Sequence, residues 1–220
     1  MTTKDLFANN AHIGHKTSNW NPKMKPYIHG KVNGVHVFDL EQTEAALEKT
    51  KQFLAATKLK NAKVLFVGTK PQSSFVLKKA LEGTNHFAMC QKWQPGLLTN
   101  FTEIRKRIDY YLNLKSQFET GEINKYTKKE ISEYKKDLNK LAKVYEGVAE
   151  MRKRPEVIVV LDAVVDRLAV EEAKKAGVGI VAVADSNANP DGIDYVIPAN
   201  DDAVESIEYI VNEMVSALKK

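Results

Sequence analysis

Residues 155–203, PEVIVVLDAVVDRLAVEEAKKAGVGIVAVADSNANPDGIDYVIPANDDA, contain three short apolar runs: Val157 to Leu161, Gly179 to Ala184 and Tyr195 to Pro198. Runs of about five residues rich in Val and Ile, without polar alternation, are the pattern of strands buried on both faces, as in parallel sheets covered by helices. A helix-patterned segment, Val165 to Ala176, lies between the first two runs, so the stretch reads as a βαβ unit. Lys174 and Lys175 sit at the helix's negative pole, and Gly177 is free to take a left-handed cap. Asp162 follows the first run; Asp185, Ser186, Asn187, Asn189, Pro190, Asp191 and Gly192 follow the second. Ligands of open α/β sheets collect at these carboxyl ends, so the acidic rim is a candidate site.

Outward from this stretch, further elements follow the same grammar. Val64-Leu65-Phe66-Val67 is another buried strand, Phe87 to Cys90 a shorter one, and Asp39 to Leu59, Ser73 to Leu81 and Val204 to Leu218 have helical patterning. Residues 1–34 carry Pro22, Pro26, Gly30 and Gly34, which exclude a long helix and predict an ordered loop, followed by a strand from Val35 to Leu40. Residues 101–154 break the alternation. Ile104, Ile108, Tyr111 and Leu112, then Ile131, Tyr134, Leu138, Leu141, Val144, Tyr145 and Val148, recur at helical spacing on either side of Gly121. The simplest fit is an antiparallel helical hairpin, 101–154, inserted into an α/β domain made of 1–100 and 155–220.

The net charge of +5 conceals an asymmetry. Residues 1–40 hold five Lys and Arg against two Asp and Glu, 41–100 nine against four, and 101–154 fourteen against nine, whereas 155–220 hold five against thirteen. Such a chain has one side suited to a polyanion and another that is not, unless the unevenness serves solubility alone. The composition, 43% hydrophobic and 28% charged, is that of a folded soluble protein. Cys90 is the single cysteine, which excludes an internal disulfide and suits a reducing compartment. The first ten residues lack a signal-peptide core and no run approaches about 18 apolar residues, so the expected location is cytoplasmic, with no membrane partner.

The candidate binding residues are cations and aromatics. Lys16, Lys23, Lys25, Arg105, Lys106, Arg107, Arg152, Lys153 and Arg154 would neutralise phosphates, with His15, Trp20 and Trp93 stacking or packing and Asn100 closing the loop that begins at Lys92. If the hairpin closes, the triplets 105–107 and 152–154 form one six-cation patch at its base. His12, His15, His29 and His36 raise the question of zinc, but no cysteine accompanies them and their spacing fits no metal site. Gly68-Thr69-Lys70 has too few glycines for a phosphate loop, and Gly177-Val178-Gly179 lies on the wrong side of its helix for a dinucleotide fingerprint. No cofactor, metal or small-molecule substrate is therefore expected. An enzymatic alternative is a magnesium-dependent phosphate-processing site built from Asp162, Asp166 and Asp185, although Asp166 is spaced to lie on the helix flank and no nucleophile with a matched base is present. The competing reading makes Asp162 and Asp185 helix or turn caps.

Longer blocks carry a resemblance. Gly14-His15, Trp20 to Ile28, Asn33 to Leu40, Phe66-Val67-Gly68-Thr69-Lys70, Leu98-Thr99-Asn100-Phe101, Asp185-Ser186-Asn187, Pro190-Asp191, Asp194 to Pro198 and Asn200-Asp201-Asp202-Ala203 span nearly the whole chain. Together they resemble the S-two family of small ribosomal subunit proteins of bacterial type. The resemblance implies a Rossmann-like α/β domain with a coiled-coil insertion and no catalysis. It implies binding to small-subunit ribosomal RNA where head meets body, and contact with neighbouring ribosomal proteins, including help in docking the large one that gathers messenger RNA. Two departures stand out. Pro95 replaces one of the family's usual paired glycines and cannot donate an N–H to RNA, and Asn189 replaces a carboxylate.

Overall fold

The computed structural model describes residues 2–59 and 62–219. In chain order the elements are α1 (Thr3–Ala8), β1 (Ile13–Lys16), β2 (Ile28–Val32), β3 (Val35–Phe38), α2 (Leu40–Leu59), β4 (Val64–Val67), α3 (Pro71–Ala80), β5 (Phe87–Met89), α4 (Phe101–Thr120), α5 (Lys128–Tyr145), β6 (Val157–Val160), α6 (Arg167–Ala176), β7 (Gly179–Ala184), β8 (Tyr195–Pro198) and α7 (Val204–Lys219). Five strands form a parallel sheet in the order β5-β4-β6-β7-β8, flanked by helices, as in a Rossmann-like fold.

The alternation of side chains along each strand divides the core in two. Leu65, Val67, Ile158, Val160, Ile180 and Ala182 face one layer, together with Ala169, Val170 and Ala173 of α6 and Ile104, Ile108 and Tyr111 of α4. Val64, Phe66, Val157, Val159, Val181 and Val183 face the other, against Leu47 and Leu54 of α2, Val76 and Leu77 of α3, and the Ile207, Ile210, Val211, Met214 stripe of α7. Every residue of β4 and β6 is buried, as unalternating Val/Ile runs require. Lys51 Nζ, 2.6 Å from Glu213 Oε2, ties α2 to α7. Gly177 caps α6 in the left-handed region, with φ of 65°.

The N-terminal segment corrects the expectation of a loop over 1–34. Two of its stretches, β1 and β2, pair with β3 in an antiparallel sheet of order β1-β3-β2. The prolines sit instead in a 3₁₀ turn, Pro22–Tyr27, capped by the Asn21 side chain. Asn33 and Gly34, with φ of 51° and 78°, form the turn joining β2 to β3. Two successive positive φ values are what a tight hairpin demands, and Asn-Gly supplies them at little cost. No described helix is long and apolar enough to cross a membrane.

Between β5 and β6, Gly121 ends α4 in a left-handed conformation, and Thr127 and Glu130 cap α5 reciprocally. A 3₁₀ turn after α5, Glu146–Val148, closes over β5, the edge strand of the parallel sheet. A methyl group on Gly147 would run into the Ala88 carbonyl of that strand. Gly147→Ala is therefore expected to destabilise the fold by about 1–3 kcal/mol, through displacement of the turn from the edge. Thermal unfolding should record a melting midpoint several degrees lower.

Candidate nucleic-acid interface

At the carboxyl end of the parallel sheet the side chains neutralise one another. Lys70 leaves β4 as the residue before Pro71, the first of α3. Its ammonium lies 2.6 Å from Asp162 Oδ2, 2.8 Å from Asp201 Oδ1 and 2.7 Å from Asp202 Oδ1, joining the ends of β4, β6 and β8. The other oxygen of Asp162 accepts the N–H groups of Val164 and Val165, at 2.7 and 2.8 Å. Asp185 Oδ1 accepts the N–H of His15 at 3.1 Å and faces the His15 ring at 3.0 Å, joining the N-terminal sheet to β7. Asn200 Oδ1 accepts the N–H groups of Asp202 and Ala203, 2.9 and 3.1 Å away, and turns the chain into α7.

Burial disfavours charge on Lys70, but its bonds to Asp162, Asp201 and Asp202 prevail and raise its pKa. Burial, then the neighbouring charges of Asp162 and Asp185, push Asp201 up to about 7 despite Lys70. His15 is raised by its bond to Asp185, against a smaller effect of burial. Asp166 is raised by burial, although Thr69 donates to it from both Oγ1, at 2.8 Å, and N, at 3.3 Å. Asp166 thus corrects the helix-flank expectation: it is 3% exposed and turned inward. The magnesium reading loses its support here, because Asp162 is a turn cap and ion-pair partner, Asp166 holds Thr69 and Asp185 holds His15. Among the described residues, the groups spaced to hold a metal are His15, Asp185 and Asp201, each with a ligand-type atom within 4.8 Å of the others. The remaining N-terminal histidines are elsewhere: His12 stacks on Phe7, His36 lies against Trp20, and His29 is exposed.

The expected RNA-facing residues fall into three groups. Lys16, Lys25, Arg107 and Arg154 are exposed and have no carboxylate partner among the described residues. Lys23 pairs with Asp191, Lys106 with Glu103, Lys153 with Glu156, and Arg152 approaches Asp109 at 3.8 Å, all at exposed positions. Such surface pairs are weak, of order 1 kcal/mol or less, and yield readily to a stronger anion.

Arg105 and Trp93 are turned inward. The guanidinium of Arg105 donates to the Ala149 and Met151 carbonyls, 3.1 and 2.8 Å away, and pairs with Asp109. The two triplets thus meet as their sequence suggested, but the six-cation patch needs correction: Arg105 links α4 to the segment after α5, and three of the others have carboxylates nearby. Trp93 is 4% exposed, and its Nε1 donates to Glu172 Oε1 at 3.0 Å, so its ring packs in the core rather than facing a base. Trp20 is half-buried, and Asn100 is exposed at the start of α4.

Glu172 escaped the sequence reading altogether. Its carboxylate also accepts the N–H groups of Gly96, Leu98 and Thr99 and the Thr99 hydroxyl, between 2.7 and 3.4 Å. Burial raises its pKa, but these bonds outweigh it and the net shift is downward. The N–H groups of Gly96, Leu98 and Thr99, which follow Pro95, are thus turned to Glu172. Asn189 accepts the Asp191 N–H at 3.2 Å, so the amide makes the turn a carboxylate would make. Lys70, the other residue missed, had only its place after a strand-ending Gly-Thr to mark it.

A family model described as Ribosomal protein S2 matches residues 6–220. The small ribosomal subunit protein uS2 of Roseiflexus castenholzii is 42% identical over 217 residues, covering 99% of this chain and 82% of that protein. The protein of that name from Dehalococcoides mccartyi is 40% identical over 215 residues, 98% of this chain and 88% of its own length. That of Maridesulfovibrio salexigens is 39% identical over 217 residues, 99% and 84% respectively.

Because the Asp201 carboxyl is raised from 3.8 to about 7, the folded chain holds this proton more tightly than the unfolded one. The associated stability is complete below about pH 4 and is lost as pH rises toward 7. In Asp201→Asn that titration is absent, so the variant should gain on the parent by roughly 1–2 kcal/mol between pH 5 and 8. Urea unfolding across that range reads the gap; a gap moving the other way would mean that Lys70 keeps Asp201 ionised.

Proposed function

The chain belongs to the ribosomal protein S2 family, and from that premise we propose that it is a structural, non-catalytic constituent of the cytoplasmic small ribosomal subunit. In this role it binds small-subunit ribosomal RNA near the head–body junction and contacts neighbouring ribosomal proteins, in support of translation. The observation that carries the reading is the contrast between the two kinds of cation. The lysine at the acidic rim, where an enzyme of this architecture would hold its ligand, is consumed by three carboxylates. Lys16, Lys25, Arg107 and Arg154 are exposed without carboxylate partners among the described residues, and such side chains suit phosphate oxygens. Lys23, Lys106, Arg152 and Lys153 join them by exchanging weak surface partners for phosphates, and Trp20 and Asn100 serve unstacked bases. His15 acts from behind, by anchoring the N-terminal sheet to Asp185.

The α4–α5 pair reads as an antiparallel coiled-coil hairpin over 101–154, inserted in an α/β domain of 1–100 and 155–220. Ile104, Ile108, Tyr111 and Leu114 form the buried stripe of α4, and Leu138 and Leu141 of α5 pack against the cluster that holds the first three. Arg105 is the brace of its base rather than a phosphate ligand.

Binding to small-subunit ribosomal RNA is expected to weaken as salt rises, and Lys25→Gln and Arg107→Gln should each make the log–log slope shallower by about 1. Arg105→Gln should leave the slope unchanged and lower folding stability by about 1–3 kcal/mol, because two carbonyl partners are lost. Filter-binding titrations at several salt concentrations measure this; an unaltered slope for Lys25→Gln and Arg107→Gln together would refute the assignment of these cations to phosphates.

A further inference from the structure

Beside the acidic rim, the turn leading into α6 presents aliphatic side chains to solvent. Val164 is 44% exposed, Val165 55% and Leu168 50%, while Ala163, Ala169 and Val170 between and beside them fill the core. The turn is well defined, because Asp162 Oδ1 accepts both the Val164 and Val165 N–H groups and Leu168 lies in the first turn of α6. Three outward aliphatics on a fixed turn add nothing to the fold, and clusters of this kind mark interaction surfaces.

The surroundings specify what can cover them. Asp162 shares the Lys70 ammonium with Asp202, which brings the 57%-exposed Asp202 carboxylate to the same rim. Val204, 37% exposed, and the exposed Glu205 follow directly. Arg167 does not reverse the sign, because Glu171, 3.1 Å away on the same helix, balances its charge. The 66 residues from Pro155 onward carry thirteen carboxylates against five cations. RNA would be repelled here and would leave the aliphatics uncovered. We propose that Val164, Val165 and Leu168 form a docking surface for a basic segment of a neighbouring protein, one apolar anchor flanked by Lys or Arg. The inference rests on the ribosomal reading above and deepens it by naming a surface and the chemistry of its partner.

The test uses small subunits assembled in the cell with the full chain carrying Val165→p-benzoylphenylalanine, isolated by sedimentation at low salt and irradiated. The expected product is an adduct to a protein, at a peptide with Lys or Arg within about three residues of the attachment point. An adduct to RNA or to an acidic peptide, or no adduct in subunits that contain the chain, overturns the inference and leaves the ribosomal reading intact. Failure of the chain to sediment with the subunits removes both. In a second arm, the triple variant Val164→Ser, Val165→Ser, Leu168→Ser is rebound to subunits stripped of this chain. Its affinity is expected to fall at least tenfold with the salt slope unchanged, since apolar contacts release no counterions. Affinity within twofold of the parent, or a shallower slope, overturns the proposal.

Discussion

One ammonium group holds the architecture together where it is most exposed to its own charge. The ends of β4, β6 and β8 bring Lys70, Asp162, Asp201 and Asp202 to one point, and Asp185 is close enough to raise Asp201 further. Asp162, Asp185 and Asp201 are buried and repel one another at low local dielectric, which pushes Asp201 up to about 7 even beside a cation. Lys70 supplies that cation from the chain itself. The constraint has consequences in three directions: Asp162 is free to cap the turn into α6, the loop 199–203 is fixed ahead of α7, and Asp185 is left to receive His15 from the N-terminal sheet.

With that rim closed by a lysine, the part of an α/β sheet that usually receives a ligand becomes a structural joint. Lys16 and Lys25 in the first forty residues, and Arg107 and Arg154 at the two ends of the α4–α5 pair, are exposed without carboxylate partners among the described residues, whereas residues 155–220 hold thirteen carboxylates against five cations. Glu172 performs for the loop 93–99 what Lys70 performs for the rim, with signs reversed: one carboxylate gathers a tryptophan N–H, three backbone N–H groups and a hydroxyl. Both are solutions to the same demand, that buried polar groups find partners.

How far the sequence could be read follows from the range of the interactions involved. Val157 to Leu161 and Gly179 to Ala184 declared a parallel sheet because burial on both faces leaves a composition that local reading detects. Asn33-Gly34 was an equally local hairpin signal, obscured by the prolines before it, which fit a 3₁₀ turn rather than a loop. The site was less legible. That Trp93 points inward, that Arg105 serves two carbonyls and that Asp166 turns to Thr69 depend on partners 97 or fewer residues distant, and nothing in the flanking sequence announces them. Charge patterning pointed to the cations but could not tell a brace such as Arg105 from an exposed side chain such as Arg107. Lys70 and Glu172 were invisible for the same reason.

The central claim, that Lys70 neutralises the rim and so holds three strand ends together, is tested most directly by urea unfolding of Lys70→Met at pH 5 and pH 8. Breaking a buried ion pair by removing one partner typically costs about 3–5 kcal/mol. A loss of that size at pH 8, partly recovered at pH 5 as the orphaned carboxylates take up protons, is the predicted result. A variant as stable as the parent at pH 8, or one with the same loss at both values, would contradict it.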